Sequence, residues 1–156
     1  MTPPDLSARA TSYVDAGLCA LPARRDGATK RVALSSWADY QSRLPDGAEL
    51  RSWFSNGHAA SAMCLVCGAV SGNLEMIDFD SWDSGGREAF EAWRDTVEAS
   101  TLGLFSRLVI ETSPSGGRHV VYRCESQVSG NTKLAQRRVE ADGPAPIDVG
   151  GKECVP

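Results

Sequence analysis

The chain has 156 residues, 42% of them hydrophobic, with four Trp, three Tyr and four Phe spread along it. That is enough apolar material for one packed core, and it excludes a disordered chain. No apolar run approaches the roughly 20 residues needed to cross a bilayer. Met1-Thr2-Pro3-Pro4-Asp5 lacks the basic-then-apolar order of a secretory leader, so a cytoplasmic protein without a membrane partner is expected. The net charge of −4 excludes a uniformly basic nucleic-acid-binding face. The charge is uneven: residues 1–45 carry six basic and four acidic groups, 46–100 three and ten, and 101–156 seven and six. An acidic middle fits carboxylates that hold metal ions rather than face phosphates directly.

In chain order, Pro3-Pro4-Asp5 followed by Leu6, Ala10, Tyr13 and Val14 predicts a capped amphipathic helix ending at Gly17. Leu18 to Leu21 reads as a strand stopped by Pro22, and Ala23 to Ser36 as a polar, basic loop. Asp46 with Glu49 three residues on is a capping-box variant opening a helix through Trp53 and Phe54. Ala62 to Gly68 and Leu74 to Asp80 are apolar runs joined by Ala69-Val70-Ser71-Gly72-Asn73, which predicts a hairpin-like pair of strands. Gly85 to Ser100 carries Phe90, Trp93 and Val97 at helical spacing. Arg107 to Thr112 and His119 to Tyr122 predict two strands around a Ser/Gly turn. Gln127 to Gly143 is polar without periodicity, and Ile147-Asp148-Val149 is a last short strand. Apolar residues resume at Cys154-Val155-Pro156, so the chain is expected to be an amino-terminal fragment of a longer polypeptide.

The five cysteines (Cys19, Cys64, Cys67, Cys124, Cys154) sit mostly in apolar runs and are expected to stay reduced and act as small hydrophobes. Cys64 and Cys67 form a C-x-x-C spacing, with His58 upstream. On a strand the two thiols point to opposite faces, and no second Cys/His pair stands at zinc-like spacing.

Polar groups interrupt the strands at three places. In Leu74-Glu75-Met76-Ile77-Asp78-Phe79-Asp80, strand alternation puts Asp78 and Asp80 on one face, roughly 7 Å apart along the chain. Two carboxylates there repel, and a hard divalent cation, Mg²⁺ or Mn²⁺, removes that penalty. The bland alternative is a strand end with both acids in solvent. Asp148 is another carboxylate between β-branched residues, followed by Gly150-Gly151. If its strand lies beside the first, three acids converge, as two-metal phosphoryl transfer requires; alone it reads as a turn Asp. Thr112-Ser113-Pro114-Ser115-Gly116-Gly117-Arg118-His119 offers glycines that let backbone N–H groups turn toward an anion, with hydroxyl, guanidinium and imidazole donors nearby. Its plainer reading is an ordinary hairpin turn.

In this order and spacing the motifs resemble the bifunctional primase-polymerase domain of the archaeo-eukaryotic primase superfamily. The resemblance runs from "GLCALPARRDGATK" through "SSW", "LRSWF", "CLVCGAVSGNLEMIDFD" and "VIETSPSGGRHVVYR" to "IDVGGKECVP". It implies that Asp78, Asp80 and Asp148 are metal ligands and that His119 contacts the phosphates of the incoming nucleotide. Thr112, Ser115, Gly116, Gly117 and Arg118 would line the nucleotide, and Lys30 and Lys152 would reach its phosphates. Many members carry Ser two residues before the histidine; here Gly117 stands there. Some carry a zinc-binding stem between the second and third motifs; residues 123–147 hold only Cys124 and no His, so no structural zinc is expected.

The resulting expectation is an α+β, archaeo-eukaryotic primase-like fold: a mostly antiparallel sheet flanked by helices, with an open metal and nucleotide cleft, all in one catalytic domain over residues 1–156. The implied activity is template-directed nucleotidyl transfer by a DNA primase or DNA polymerase with a two-metal mechanism. Its partners would be a single-stranded DNA template, a primer, NTP or dNTP, and a fused or associated helicase. Two other readings are a non-catalytic nucleotide- or DNA-binding replication module, and a metal-dependent nuclease or phosphoesterase.

Overall fold

The structure, a computed structural model, describes residues 5–26, 29–54, 60–80, 85–113, 116–128, 130, 132–136 and 148–151, with backbone alone at 26, 29–30, 132–136 and 148–151. It divides into two compact units, one built on the residues up to Leu74 with Arg123–Val128, the other on Glu75–Tyr122 with the later strands.

In the first unit, α1 (Leu6–Asp15) begins where Asp5 Oδ1 accepts from the N–H groups of Ser7 and Ala8 at 3.0 and 3.3 Å. This is the cap expected from the sequence. A three-stranded sheet follows, formed by β1 (Cys19–Asp26), β2 (Thr29–Val32) and β3 (Ala62–Val66) in the order β2-β1-β3, antiparallel throughout. Cys19, Ala20 and Leu21 are fully buried. Cys19 and Leu21 pack with Tyr40 and Val66, while Ala20 packs with Ala10 and Leu50. A central strand covered on both faces accounts for an unbroken apolar run. Between the strands, α2 (Gly47–Phe54) opens on a complete capping box. Asp46 Oδ1 accepts from the N–H groups of Ala48 and Glu49, and Glu49 Oε2 accepts from the N–H of Asp46, each at 2.8 Å.

Two expectations fail here. Pro22 does not stop β1, and the basic segment is no loop but a hairpin of β1 with β2. The Pro22 carbonyl accepts from Ala33 N–H at 2.7 Å, so its ring nitrogen points to the side where the β1–β2 ladder has already ended at Ala23↔Val32. A missing N–H costs little there.

The second unit holds β4 (Leu74–Phe79), α3 (Gly86–Ser100), β5 (Val109–Thr112), β6 (Arg118–Arg123), β7 (Thr132–Gln136) and β8 (Asp148–Gly151). Its five strands run in the order β5-β6-β4-β8-β7. Ile77, Phe79 and Val120 face a core closed by Phe90 and Trp93 of α3, with Phe79 edge-on to Phe90 at 5.3 Å between ring centroids. Alternation therefore sends Asp78 and His119 to the other face.

The expected β3–β4 hairpin does not form. The strands belong to different sheets and meet only in an isolated bridge, Gly68↔Leu74. Gly68, Gly72 and Asn73 all have positive φ (85°, 68° and 57°) around a 3-10 turn at Ala69–Ser71, and that backbone redirects the chain instead of folding it back. The α+β class holds, but with two antiparallel-rich sheets rather than one. The polar stretch after Gln127 contains β7, which no alternation announced. Among the described residues no helix is long and apolar enough to cross a membrane. Cys19, Cys64 and Cys124 are free, whereas Cys67 is disulfide-bonded, so the expectation of reduced thiols fails there.

Candidate active site

The outward face of the second sheet brings three sequence motifs together. Asp78 lies in β4 with only 7% of its surface exposed, and its Oδ1 stands 3.5 Å from Nε2 of His119 on β6. Both side chains leave the sheet opposite the Phe79–Val120 core, so the pairing follows from alternation on neighbouring strands. Asp80 comes directly after the last residue of β4 and is half-buried.

Beside β4 runs β8, with Asp78 across from Gly150 and Phe79 across from Val149. One further step of this register sets Asp148 opposite Asp80. Gly150 contributes no side chain next to Asp78. The backbone of Asp148, the first residue of β8, thus lies at the same end of the paired strands as Asp78 and Asp80. The Asp148 side chain lies outside the described residues. Among the described residues no group of three or more His, Cys, Asp or Glu side chains is assembled to hold a metal.

The Gly-Gly turn docks against the same end of β4. A Cβ placed on Gly117 would come within 2.5 Å of the Phe79 carbonyl oxygen and 3.2 Å of Ser113 Oγ. Only glycine fits such an approach. Gly116 takes φ +91°, a left-handed conformation, and its N–H donates to the Ser113 carbonyl at 2.9 Å. That N–H closes the turn. Arg118 Nη1 donates to the carbonyls of Gly116 and Gly117 at 3.1 and 3.2 Å and so braces the turn. Thr112 is the exposed last residue of β5, across from Arg118.

Pro114, Ser115 and Lys152 lie outside the described residues. Lys30 is on β2 in the first unit, across from Arg25, and its side chain is likewise outside them.

Two residues on this sheet were not among the candidates read from the sequence. Glu111 stands directly opposite His119 in the β5–β6 ladder, which puts an exposed carboxylate on the imidazole's face. Both were placed on strands, but their pairing depends on turn length, which the letters Ser-Pro-Ser-Gly-Gly do not reveal. Ser113 is 5% exposed and closes the turn by an N–H bond to the Gly117 carbonyl at 3.0 Å. A buried serine in a polar octapeptide leaves no periodic signal.

The family model described as Bifunctional DNA primase/polymerase, N-terminal, matches residues 10–154. No curated protein and no solved structure matches the chain.

Proposed function

Because the chain belongs to the bifunctional DNA primase/polymerase N-terminal family, whose members carry out nucleotidyl transfer in DNA replication, we propose that the Asp78–His119 face of the second sheet is its nucleotidyl-transfer site. The observation that carries this reading is the 3.5 Å approach of His119 Nε2 to the buried Asp78 carboxylate beside a turn that tolerates only glycine.

The donor set suits a hard divalent cation: Asp78 on β4 and Asp80 just after it, with Asp148 at the start of the neighbouring β8. Asp78, Asp80 and Asp148 would hold Mg²⁺ or Mn²⁺, which when bound activates a 3′-hydroxyl and offsets charge on the triphosphate and leaving pyrophosphate. The His119 imidazole, whose Nε2 stands 3.5 Å from the Asp78 carboxylate, contacts a phosphate oxygen of the incoming nucleotide. Thr112, Ser115, Gly116, Gly117 and Arg118 line the nucleotide, with Arg118 bracing the Gly116–Gly117 turn. Lys30 and Lys152 supply further cations to the phosphates, and the template strand is held mainly through its backbone. Residues 1–156 act as one catalytic domain of a cytoplasmic replication protein, joined or bound to a helicase.

Replacing Asp78 or Asp148 by Ala is expected to abolish incorporation of NTP or dNTP on a primed single-stranded template with Mg²⁺ or Mn²⁺. The melting temperature should stay within a few degrees. Retained incorporation by either variant defeats the reading, and unfolding of both assigns the acids a structural role. Wild-type degradation of labelled DNA without nucleotides would point to a hydrolase instead.

A further inference from the structure

The edge strand β5 carries a single ionisable side chain, Glu111. Register sets it directly across from His119, one step from the Ile110↔Val120 pair. Val120 is fully buried and Ile110 packs on the same core, so alternation sends Glu111 and His119 together to the opposite face. In the order β5-β6-β4 the imidazole thus has a carboxylate on each neighbouring strand, with Asp78 Oδ1 at 3.5 Å from Nε2 on the β4 side. A directly opposed pair has its Cβ atoms about 5 Å apart, which lets a glutamate carboxylate reach an imidazole nitrogen. The next pair on that face, Val109↔Val121, is apolar, so on this ladder the acid stands where the histidine is. Glu111 is exposed and outside the core, so packing does not call for its charge. A carboxylate on one ring nitrogen of a histidine fixes the ring plane, and with it the direction in which the other nitrogen points.

We infer that Glu111 is a positioning residue for His119: with nucleotide bound, its carboxylate accepts from the Nδ1–H of the imidazole and keeps Nε2 at the Asp78 end of the site, where the phosphates are held. The inference rests on the nucleotidyl-transfer reading above and adds to it a residue that acts only through His119. In this role Glu111 touches neither nucleotide nor metal, which sets it apart from Asp78, Asp80 and Asp148. A ring already restrained on its far side loses less freedom when it takes up a phosphate, so the gain falls on nucleotide affinity.

Incorporation of dNTP on a primed single-stranded template with Mn²⁺ is measured against nucleotide and against primer-template concentration. Glu111→Ala should raise the nucleotide KM about tenfold, the loss expected when the partner that orients a functional histidine is removed. It should leave kcat and the primer-template KM within about twofold. Glu111→Gln keeps an acceptor oxygen at the same reach and should restore most of the loss. In a His119→Ala background Glu111→Ala should cost nothing more, because both changes remove one contact. The melting temperature should stay within about 2 °C, since the side chain is exposed. A second readout does not depend on turnover. The chain has two histidines, His58 and His119, so imidazole NMR signals are assigned with one His58→Gln variant. With dNTP and Mg²⁺ but no primer, the His119 Nδ1 proton should be visible in wild type and lost to solvent exchange in Glu111→Ala. A wild-type nucleotide KM in Glu111→Ala, with His119→Ala impaired, overturns the inference and leaves the site reading standing. Equal losses from Glu111→Ala with and without His119 also overturn it, since the acid then acts on the ligand itself. Wild-type incorporation by His119→Ala defeats the site reading, and the inference with it.

Discussion

At the scale of single residues, Gly117 is the most constrained position of the candidate site. Its Cα faces the carbonyl of Phe79, which stands between Asp78 and Asp80 in the chain, with no room for a methyl group. Gly117→Ser is expected to destabilise the protein by about 1–3 kcal/mol through overpacking against backbone, and to lower incorporation as the turn shifts off β4. Thermal melting with a steady-state incorporation assay checks both. A stable, active serine variant would show that the turn is free to move. By contrast, Gly116 has open space where a Cβ would go but a φ of +91°, so its substitution acts through backbone strain alone.

Thiol chemistry is also decided residue by residue. Burial pushes the Cys19 and Cys64 thiols up to about 11, the neighbouring Cys64 adding to the rise at Cys19. Little thiolate exists at pH 8, and Cys19 has no exposed surface. Brief alkylation of the native protein, read by peptide mass spectrometry, should label the half-buried Cys124 well before Cys19 or Cys64. Equal labelling of Cys19 would show that the β1 core opens readily.

At the scale of elements, the start of α2 joins a cap to an ion pair. Glu49 accepts from Arg43 at 2.7 and 2.8 Å and from the Tyr40 hydroxyl at 2.7 Å, while Arg43 lies 4.5 Å from the Tyr40 ring centroid. The Arg43 hydrogen bonds hold the Glu49 carboxyl at about 2, far below its ordinary 4.5. A carboxylate lowered on folding stabilises the native state above its unfolded value and loses that contribution as pH falls. The loss therefore falls between about 4.5 and about 2. Both side chains are partly in water, so the effect is modest. Glu49→Gln should lower the melting temperature modestly near neutrality, and the difference from wild type should close as pH falls through that window. Asp46→Ala removes the acceptor for two helix N–H groups and should cost about 1 kcal/mol at neutral pH, by denaturant titration.

At the scale of the whole molecule, each sheet is organised by which faces it must cover. In the first unit β1 is buried on both sides, so its residues show no alternation. In the second unit α3 covers one face of the sheet and the opposite face carries Asp78, His119 and Glu111. A site made this way needs few residues of its own, since packing on one face fixes every side chain on the other. It follows that loss of incorporation by Asp78→Ala should come without loss of folding, because Asp78 is not part of the Phe79–Phe90 core.

The helices, both N-caps, the Gly-Gly turn and the family were legible in the letters. Helix periodicity, caps and turn residues act over three or four neighbours, so local chemistry suffices to specify them. Asp78, Asp80 and His119 were legible for the same reason: polar groups stand out in apolar strands. What the letters could not decide was partnership across the chain. Pro22 looked like a strand end until the structure set its nitrogen beyond the β1–β2 ladder. β3 and β4 looked like one hairpin until three positive-φ residues sent them to separate sheets. The opposition of Arg24 to Arg31 and of Glu111 to His119 exists only as register. Strand pairing is non-local, and one residue of slip moves every side chain to the other face, so tertiary structure alone chooses which charges meet.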